Sequence, residues 1–252
     1  MTTTSSTEAA PISADAIASR HRVSIYADGA DLKDMLAANK AGIVGGFTTN
    51  PTLMAKAGVK DYRAFGKEVM SAIRDLPISF EVLADDVEGM RRQARELASW
   101  GDNVFVKIPI VNTQGESSMP LIRELIKDGL KLNVTAVMTL EQVREIADAT
   151  DPKIPLICSV FAGRIADTGR DPVPLMRSAV KMCASKAKLM VLWASPREVL
   201  NMYQAEEVGC HIITMTADLI AKLTLKGKNL TDFSRETAEM FFRDAKRAGL
   251  SL

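Results

Sequence analysis

Asn103-Val104-Phe105-Val106-Lys107-Ile108-Pro109-Ile110 is an apolar run of strand length with one charged side chain inside it. It reads as a strand covered on both faces, as in a parallel sheet. Lys107 is the exception. Taking an ammonium out of water costs several kcal/mol unless it is paired, and the usual escape is a depressed pKa and a neutral amine. A neutral amine is a nucleophile for carbonyls. The alternative is a lysine that ends its strand and extends to solvent along its aliphatic stem.

Runs of the same kind recur on both sides of this segment, at Val23 to Ala27, Ile43 to Phe47, Ile78 to Val82, Leu132 to Thr135, Ile154 to Val160, Leu189 to Trp193 and His211 to Thr214. With Val104 to Pro109 they make eight. Stretches with apolar residues at three- and four-residue spacing lie between them: Asp86 to Trp100, Ser117 to Asp128 with Gly129 as a stop, Leu140 to Ala149, Pro172 to Lys186, Pro196 to Val208 and Ala217 to Leu223. Eight strand-helix units in residues 21–252 predict an α/β fold, a (β/α)8 TIM barrel formed as a single domain. An extra C-terminal helix over Leu230 to Gly249 starts at a Thr231 or Asp232 cap. Its Phe233, Met240, Phe241 and Phe242 make it too apolar for a free tail, so it is expected to pack across the barrel or onto a neighbouring subunit of a homo-oligomer. An open doubly wound sheet would need a glycine-rich nucleotide loop after its first strand. Gly42-Ile43-Val44-Gly45-Gly46 does not open a helix, so its glycines are read as turn or close-packing positions.

Composition removes several classes of function. Thirty-two basic and 31 acidic residues leave a formal charge of +1, so no global field recruits nucleic acid or an anionic membrane, and an anionic substrate must be held locally. Cys158, Cys183 and Cys210 show no metal-finger spacing. An odd count without a signal peptide points to a reducing, cytoplasmic compartment. His21 and His211 are too few for a histidine-rich metal site, and neither a metal nor a cofactor is expected. Residues 1–20, rich in Ser, Thr and Ala without an apolar core, read as a disordered leader. No run is long enough to span a membrane.

In a barrel of this kind the active site forms at the carboxyl ends of the strands. Asp28 falls there on the first strand, Thr48 and Asn50 on the second, Glu81 on the third and Lys107 on the fourth. Asn133 and Thr135 follow on the fifth, Ser159 with Arg164 on the sixth, and Ser195 with Arg197 on the seventh. Each alone has an ordinary explanation, Asp28 and Asn50 as helix caps, Thr135 as a strand former, the arginines as surface ion pairs. Their convergence around a desolvated amine is what carbonyl chemistry on a sugar requires.

Seven segments carry a resemblance: Ala27-Asp28-Gly29, Phe47-Thr48-Thr49-Asn50-Pro51, Phe80-Glu81-Val82, Val106-Lys107-Ile108-Pro109, Asn133-Val134-Thr135, Ser159-Val160-Phe161-Ala162-Gly163-Arg164-Ile165 and Ala194-Ser195-Pro196-Arg197. In these, over residues 23 to about 225, the chain resembles the transaldolases, class I aldolase-type barrels of the non-oxidative pentose phosphate route with a Schiff-base lysine on strand four. The resemblance implies that Lys107 forms an imine with a ketose phosphate, that Asp28 accepts the C4 hydroxyl proton, and that Glu81 with Thr135 holds the water that shuttles protons. It further implies that Asn50, Asn133 and Ser159 bind hydroxyls of the retained three-carbon unit, with Thr48 beside them, and that Ser195, Arg164 and Arg197 clamp the phosphate. The partners implied are sugar phosphates.

Relatives divide into transaldolases and fructose 6-phosphate aldolases, which release free dihydroxyacetone. In the aldolase branch a tyrosine stands where this chain has Phe161, and a glutamine where it has Glu81. Both residues imply transfer. The chain departs from the family at Pro196, where an aromatic is usual, and at Val160, often a proline; these leave the head group and the aldose open, a sulfonated ketose included. A catalytically silent barrel, with Lys107 as a solvated strand end, is the reading from a different class.

Overall fold

The computed structural model describes residues 21–251, and the leader expected at 1–20 lies outside them. Eight parallel strands close into a barrel in sequential order. They are β1 Ser24–Asp28, β2 Gly46–Thr48, β3 Ile78–Glu81, β4 Val104–Pro109, β5 Leu132–Val137, β6 Leu156–Val160, β7 Leu189–Trp193 and β8 Ile212–Met215. β1 pairs with both β2 and β8, which removes every sheet edge. Helices α1 Leu32–Ala41, α2 Pro51–Lys56, α3 Tyr62–Ala72, α4 Val87–Ala98, α5 Met119–Lys127 and α6 Leu140–Asp148 occupy the first five connections. α7 Ala162–Asp167 and α8 Val173–Cys183 follow β6, α9 Leu200–Val208 follows β7, and α10 Ala217–Lys222 with α11 Leu230–Arg247 end the chain. The barrel and its helical ring are those expected from the alternation of patterns.

Local chemistry starts most of these helices. Asp31, Asn50, Asp61 and Asp86 accept backbone N–H groups at the starts of α1 to α4, and Thr139 with Gln142 forms a reciprocal capping box on α6.

Two apolar layers form. The larger lies between barrel and helices and takes the outward residues, among them Val104, Val106 and Ile108 of β4. The smaller fills the barrel itself with Tyr26, Phe105, Ile157, Leu192, Ala194 and Ile212. Side chains alternate along a strand, so Asp28, Lys107, Ser159 and Thr214, each two residues beyond a member of this inner floor, face the same interior one layer higher. Gly46 makes room for the floor, because a Cβ there would stand 2.6 Å from the Tyr26 ring. Gly45 would meet Ser24 in the same way, and Gly42 is left-handed at φ 66° after α1, so these glycines serve packing and a turn.

Three expectations need correction. The second strand is Gly46–Thr48, not Ile43 to Phe47. Ile43 and Val44 pack against the core from the preceding turn, so apolarity alone overextended the strand. The helix expected from Pro196 starts at Leu200; Asn201 Oδ1 instead accepts Arg197 N at 2.7 Å and Glu198 N at 3.2 Å, holding the preceding residues as a loop. Finally, α11 is capped by Asn229, whose side chain accepts from Thr231 and Asp232, and none of its residues is buried. It does not pack across the barrel.

Candidate active site

A cavity of about 530 Å³ opens above the inner floor, at the carboxyl ends of the strands. Every residue singled out from the sequence lines it: Asp28, Thr48, Asn50, Glu81, Lys107, Asn133, Thr135, Ser159, Phe161, Arg164, Ser195 and Arg197. A groove of about 770 Å³ between α3 and the turn before β4 is larger but is an open surface feature lined by Arg63, Lys67 and Arg74 around Met70 and Trp100. It lies away from the buried ionisable groups.

Lys107 is 7% exposed, which does not fit a strand-end lysine extended into solvent. Its Nζ donates to the Thr49 carbonyl at 3.2 Å and lies 3.1 Å from Glu81 Oε2. Burial is therefore compensated by a carboxylate and a carbonyl, a pairing the strand pattern alone did not reveal. The register explains it: Glu81 and Lys107 are Cα partners across β3 and β4, and Asn133 is the partner of Lys107 on β5. The Tyr62 hydroxyl donates to the Glu81 carbonyl at 3.0 Å, and the Thr49 hydroxyl donates to the Ser79 carbonyl at 2.9 Å, so the backbone on which the amine rests is fixed from two sides. Tyr62 is wedged edge-on against Phe80 and Trp100, and burial pushes its phenol upward.

Asp28 sits across the cavity at the end of β1. Burial raises its carboxyl above the ordinary range, while the Lys107 charge and hydrogen bonds from Thr48 and Asn50 draw it back down. Thr48 Oγ1 donates to Asp28 Oδ1 at 2.8 Å and is also in contact with Thr214 Oγ1. Asn50 does two things. Its Oδ1 accepts Leu53 N at 2.9 Å as the cap of α2, and the amide faces the cavity.

On the opposite wall, Asn133 is fully buried, its amide donating to Ser79 Oγ at 3.0 Å and accepting from Ser159 Oγ at 2.6 Å. Thr135 is aimed by a β-bulge: the β5–β6 register shifts between Val134 and Val137, and Ala136 adopts φ 59°. The buried Thr135 hydroxyl has no hydrogen-bond partner among the described residues, so its capacity faces the cavity.

The far end is built on close approach of two loops. A Cβ on Gly163 would fall 1.5 Å from the Ser195 carbonyl, so only glycine lets the start of α7 lie against the loop after β7. Ser195 itself holds φ 59°, outside the ordinary range for a side-chain-bearing residue. Arg197 Nε donates to Asp167 Oδ1 at 3.1 Å, with Nη2 on the other oxygen, which fixes the guanidinium plane and leaves Nη1 for an anion. Arg164 lines the same end, with no ion pair among the described residues. Phe161 lines the cavity and packs against the inner apolar floor.

Sequence reasoning missed Tyr62, Ser79 and Thr214. Tyr62 and Ser79 stand neither at a strand end nor in a recognisable motif, whereas Thr214 closes the eighth apolar run and its position there was the available signal; the register places Ser79 beside Phe105 and Thr214 beside Tyr26. Among the described residues no cluster of His, Cys, Asp and Glu is arranged to hold a metal ion, and no helix is long and apolar enough to cross a membrane.

The family model described as "Transaldolase/Fructose-6-phosphate aldolase" matches residues 25–252. A protein named "Probable transaldolase" from Thermoanaerobacter sp. (strain X514) is 32% identical over 228 residues, 90% of this chain and 99% of its own length. One of the same name from Roseiflexus castenholzii (strain DSM 13941 / HLO8) is 37% identical over 191 residues, 75% of this chain and 84% of its own. Among solved structures, 2,3-dimethylmalate lyase aligns with a TM-score of 0.55 at 12% identity, covering 94% of this chain and 87% of that one. KGPDC from Streptococcus mutans aligns at 0.52 with 14% identity, covering 78% and 88%. At such identities these two speak for the barrel alone. The family match over nearly the whole barrel and the relatives at a third identity lead to one conclusion: the chain belongs to the transaldolase/fructose-6-phosphate aldolase family.

Proposed function

We propose that the protein is a transaldolase that moves a dihydroxyacetone unit from a ketose phosphate, sedoheptulose 7-phosphate or fructose 6-phosphate, to an aldose phosphate through an imine on Lys107. The observation that carries this reading is the buried amine 3.1 Å from Glu81, facing Asp28 inside one cavity. Glu81 is within reach to take a proton from the Lys107 ammonium. The free amine adds to the ketose C2, and loss of water, protonated from Glu81 and steadied by Thr135, leaves a protonated imine. Asp28 then accepts the C4 hydroxyl proton. The C3–C4 bonding pair flows into the imine, and the shortened aldose departs. The enamine adds to the carbonyl carbon of an acceptor aldose, whose oxygen takes the proton back from Asp28. Hydrolysis of the imine restores the amine.

Asn50, Asn133 and Ser159 are suited to the hydroxyls of the retained unit, and the Ser195, Arg164 and Arg197 end to the phosphate. Phe161 supports transfer over simple cleavage, because a phenyl ring offers no proton to the bound enamine. The same reading takes the protein as a homo-oligomer in which α11, unburied in the protomer, docks on a second copy.

Borohydride reduction in the presence of fructose 6-phosphate tests the imine. A mass increase on the Lys107 peptide is expected; no adduct at any substrate concentration would sink the reading. Accumulation of free dihydroxyacetone at the same rate with and without acceptor aldose would move the assignment to the aldolase side of the family.

A further inference from the structure

We propose that Thr214 is a positioning residue for proton transfer at Asp28: acting through Thr48, its hydroxyl keeps the Asp28 carboxyl hydrogen-bonded in both of its protonation states. This rests on the reading of Asp28 as the group that takes the C4 hydroxyl proton.

The argument starts from the hydroxyl inventory. An ionised carboxylate only accepts, and a threonine hydroxyl has one proton to give. Thr48 Oγ1 donates to Asp28 Oδ1 at 2.8 Å, which uses that proton. Its contact with Thr214 Oγ1 must then run the other way, Thr214 donating to Thr48. The direction is fixed while Asp28 is charged. Once Asp28 has taken the substrate proton it becomes a donor, and the row can reverse: Asp28 to Thr48, Thr48 to Thr214, and the Thr214 proton outward into the cavity that Thr214 lines. No bond to carbon changes in this reversal: Thr48 gives one hydrogen bond and accepts one before and after, while Thr214 changes from donor to acceptor towards Thr48.

The placement is specific. β2 and β8 flank β1, so Thr48 and Thr214 reach each other inside the barrel, beside Asp28 and above the Tyr26 ring. Both threonines are buried, at 2% and 6% residue exposure, so water does not readily replace either as partner. The other ionisable groups lining the cavity are Lys56 on α2, Glu81 on β3, Lys107 on β4, Arg164 on α7 and Arg197 after β7. Lys107 is the one whose charge acts on Asp28, and a change at Thr214 leaves it in place.

The test is Thr214→Val, which keeps the shape and removes the hydroxyl, with Thr214→Ser as the conservative rescue. Borohydride trapping of Lys107 should proceed as in the parent, because imine formation does not use Asp28 as base. Donor cleavage should lose roughly five- to tenfold in kcat, with KM within about twofold, the size of one buried hydrogen bond. The acid limb of the kcat/KM profile should move to higher pH, since a weaker Thr48 donor stabilises the charged carboxylate less. Thr214→Ser should restore both. If Thr214→Val does not fold, Thr214→Ala removes the same hydroxyl without crowding and is expected to give the same split. An unchanged kcat and pH profile, or a loss shared equally by trapping and cleavage and not restored by serine, overturns the proposal. A parent enzyme that gives no Lys107 adduct, or an Asp28→Asn variant as active as the parent, overturns the underlying reading instead.

Discussion

Glu81 Oε2 stands 3.1 Å from Lys107 Nζ across the β3–β4 ladder, where the two residues are register partners, and their side chains are 15% and 9% exposed. A buried pair of this kind is weak as net stabilisation but strong as mutual dependence, because removing one charge strands the other. Glu81→Ala should therefore cost on the order of 3 kcal/mol of unfolding free energy. Adding Lys107→Met should recover part of it, with a coupling of roughly 1–3 kcal/mol in a double-mutant cycle by urea denaturation. Additive losses would show that the two groups do not depend on each other.

Asp28 gives a pH-dependent signature with a definite sign. Its folded carboxyl is raised by burial, so the folded state binds this proton more tightly than the unfolded chain does. Stability then falls as pH rises from the unfolded value of about 3.9 through the raised folded value, and the cost persists above it. Asp28→Asn should consequently raise the melting temperature at neutral pH, and the gain should vanish below about pH 4. The same substitution should lower kcat for donor cleavage by about a hundredfold or more. A variant less stable than the parent at pH 7 would contradict the sign.

How much of this was legible in the chain depends on what kind of information each residue carries. β4 and β7 were readable to the residue, Val104–Pro109 and Leu189–Trp193, their starts marked by the polar turns Gly101-Asp102-Asn103 and Lys186-Ala187-Lys188. The cavity-lining residues at strand ends were readable because a barrel concentrates chemistry there. The Lys107–Glu81 contact, the Thr48–Thr214 contact and the Asn133 bridge between Ser79 and Ser159 are products of register, which no local pattern encodes. The helix start at Leu200 was hidden for another reason: Pro196 looks like a first-turn proline, yet Ser195 at φ 59° and the Asn201 side chain hold the segment as a loop.

Gly163 tests whether the Arg164–Arg197 end of the cavity is one mechanical unit. Its missing Cβ lets the start of α7 approach the Ser195 carbonyl, so Gly163→Ala must push apart the loops carrying Arg164 and Arg197. The expected result is a loss of about 1–3 kcal/mol from overpacking. KM for fructose 6-phosphate should rise roughly tenfold or more, with little change for an unphosphorylated ketose. Equal effects on both substrates would place the damage elsewhere.

Phe161 tests the proposed preference for transfer over cleavage. It lines the cavity and packs against the inner apolar floor. Phe161→Tyr should raise release of free dihydroxyacetone severalfold relative to transfer, because a phenol can supply the proton that a phenyl ring cannot. The measurement is the ratio of triose to transfer product at fixed acceptor concentration, and an unchanged ratio would remove Phe161 from the explanation.

The last helix separates assembly from folding. α11 buries no residue in the protomer, and Phe241 and Phe242 are 64% and 72% exposed, an arrangement costly in water for eighteen ordered residues unless another surface covers them. Its polar residues pair within the helix or just before it, as in Arg235 with Glu239 and Lys228 with Glu236, so the aromatic side is free to dock. If the cover is a second copy, Phe241→Glu with Phe242→Glu should reduce the sedimentation mass to that of one chain. The barrel should keep its far-UV circular dichroism and imine formation, because the protomer core does not include these rings. An unaltered mass would assign the exposed face to something other than self-association.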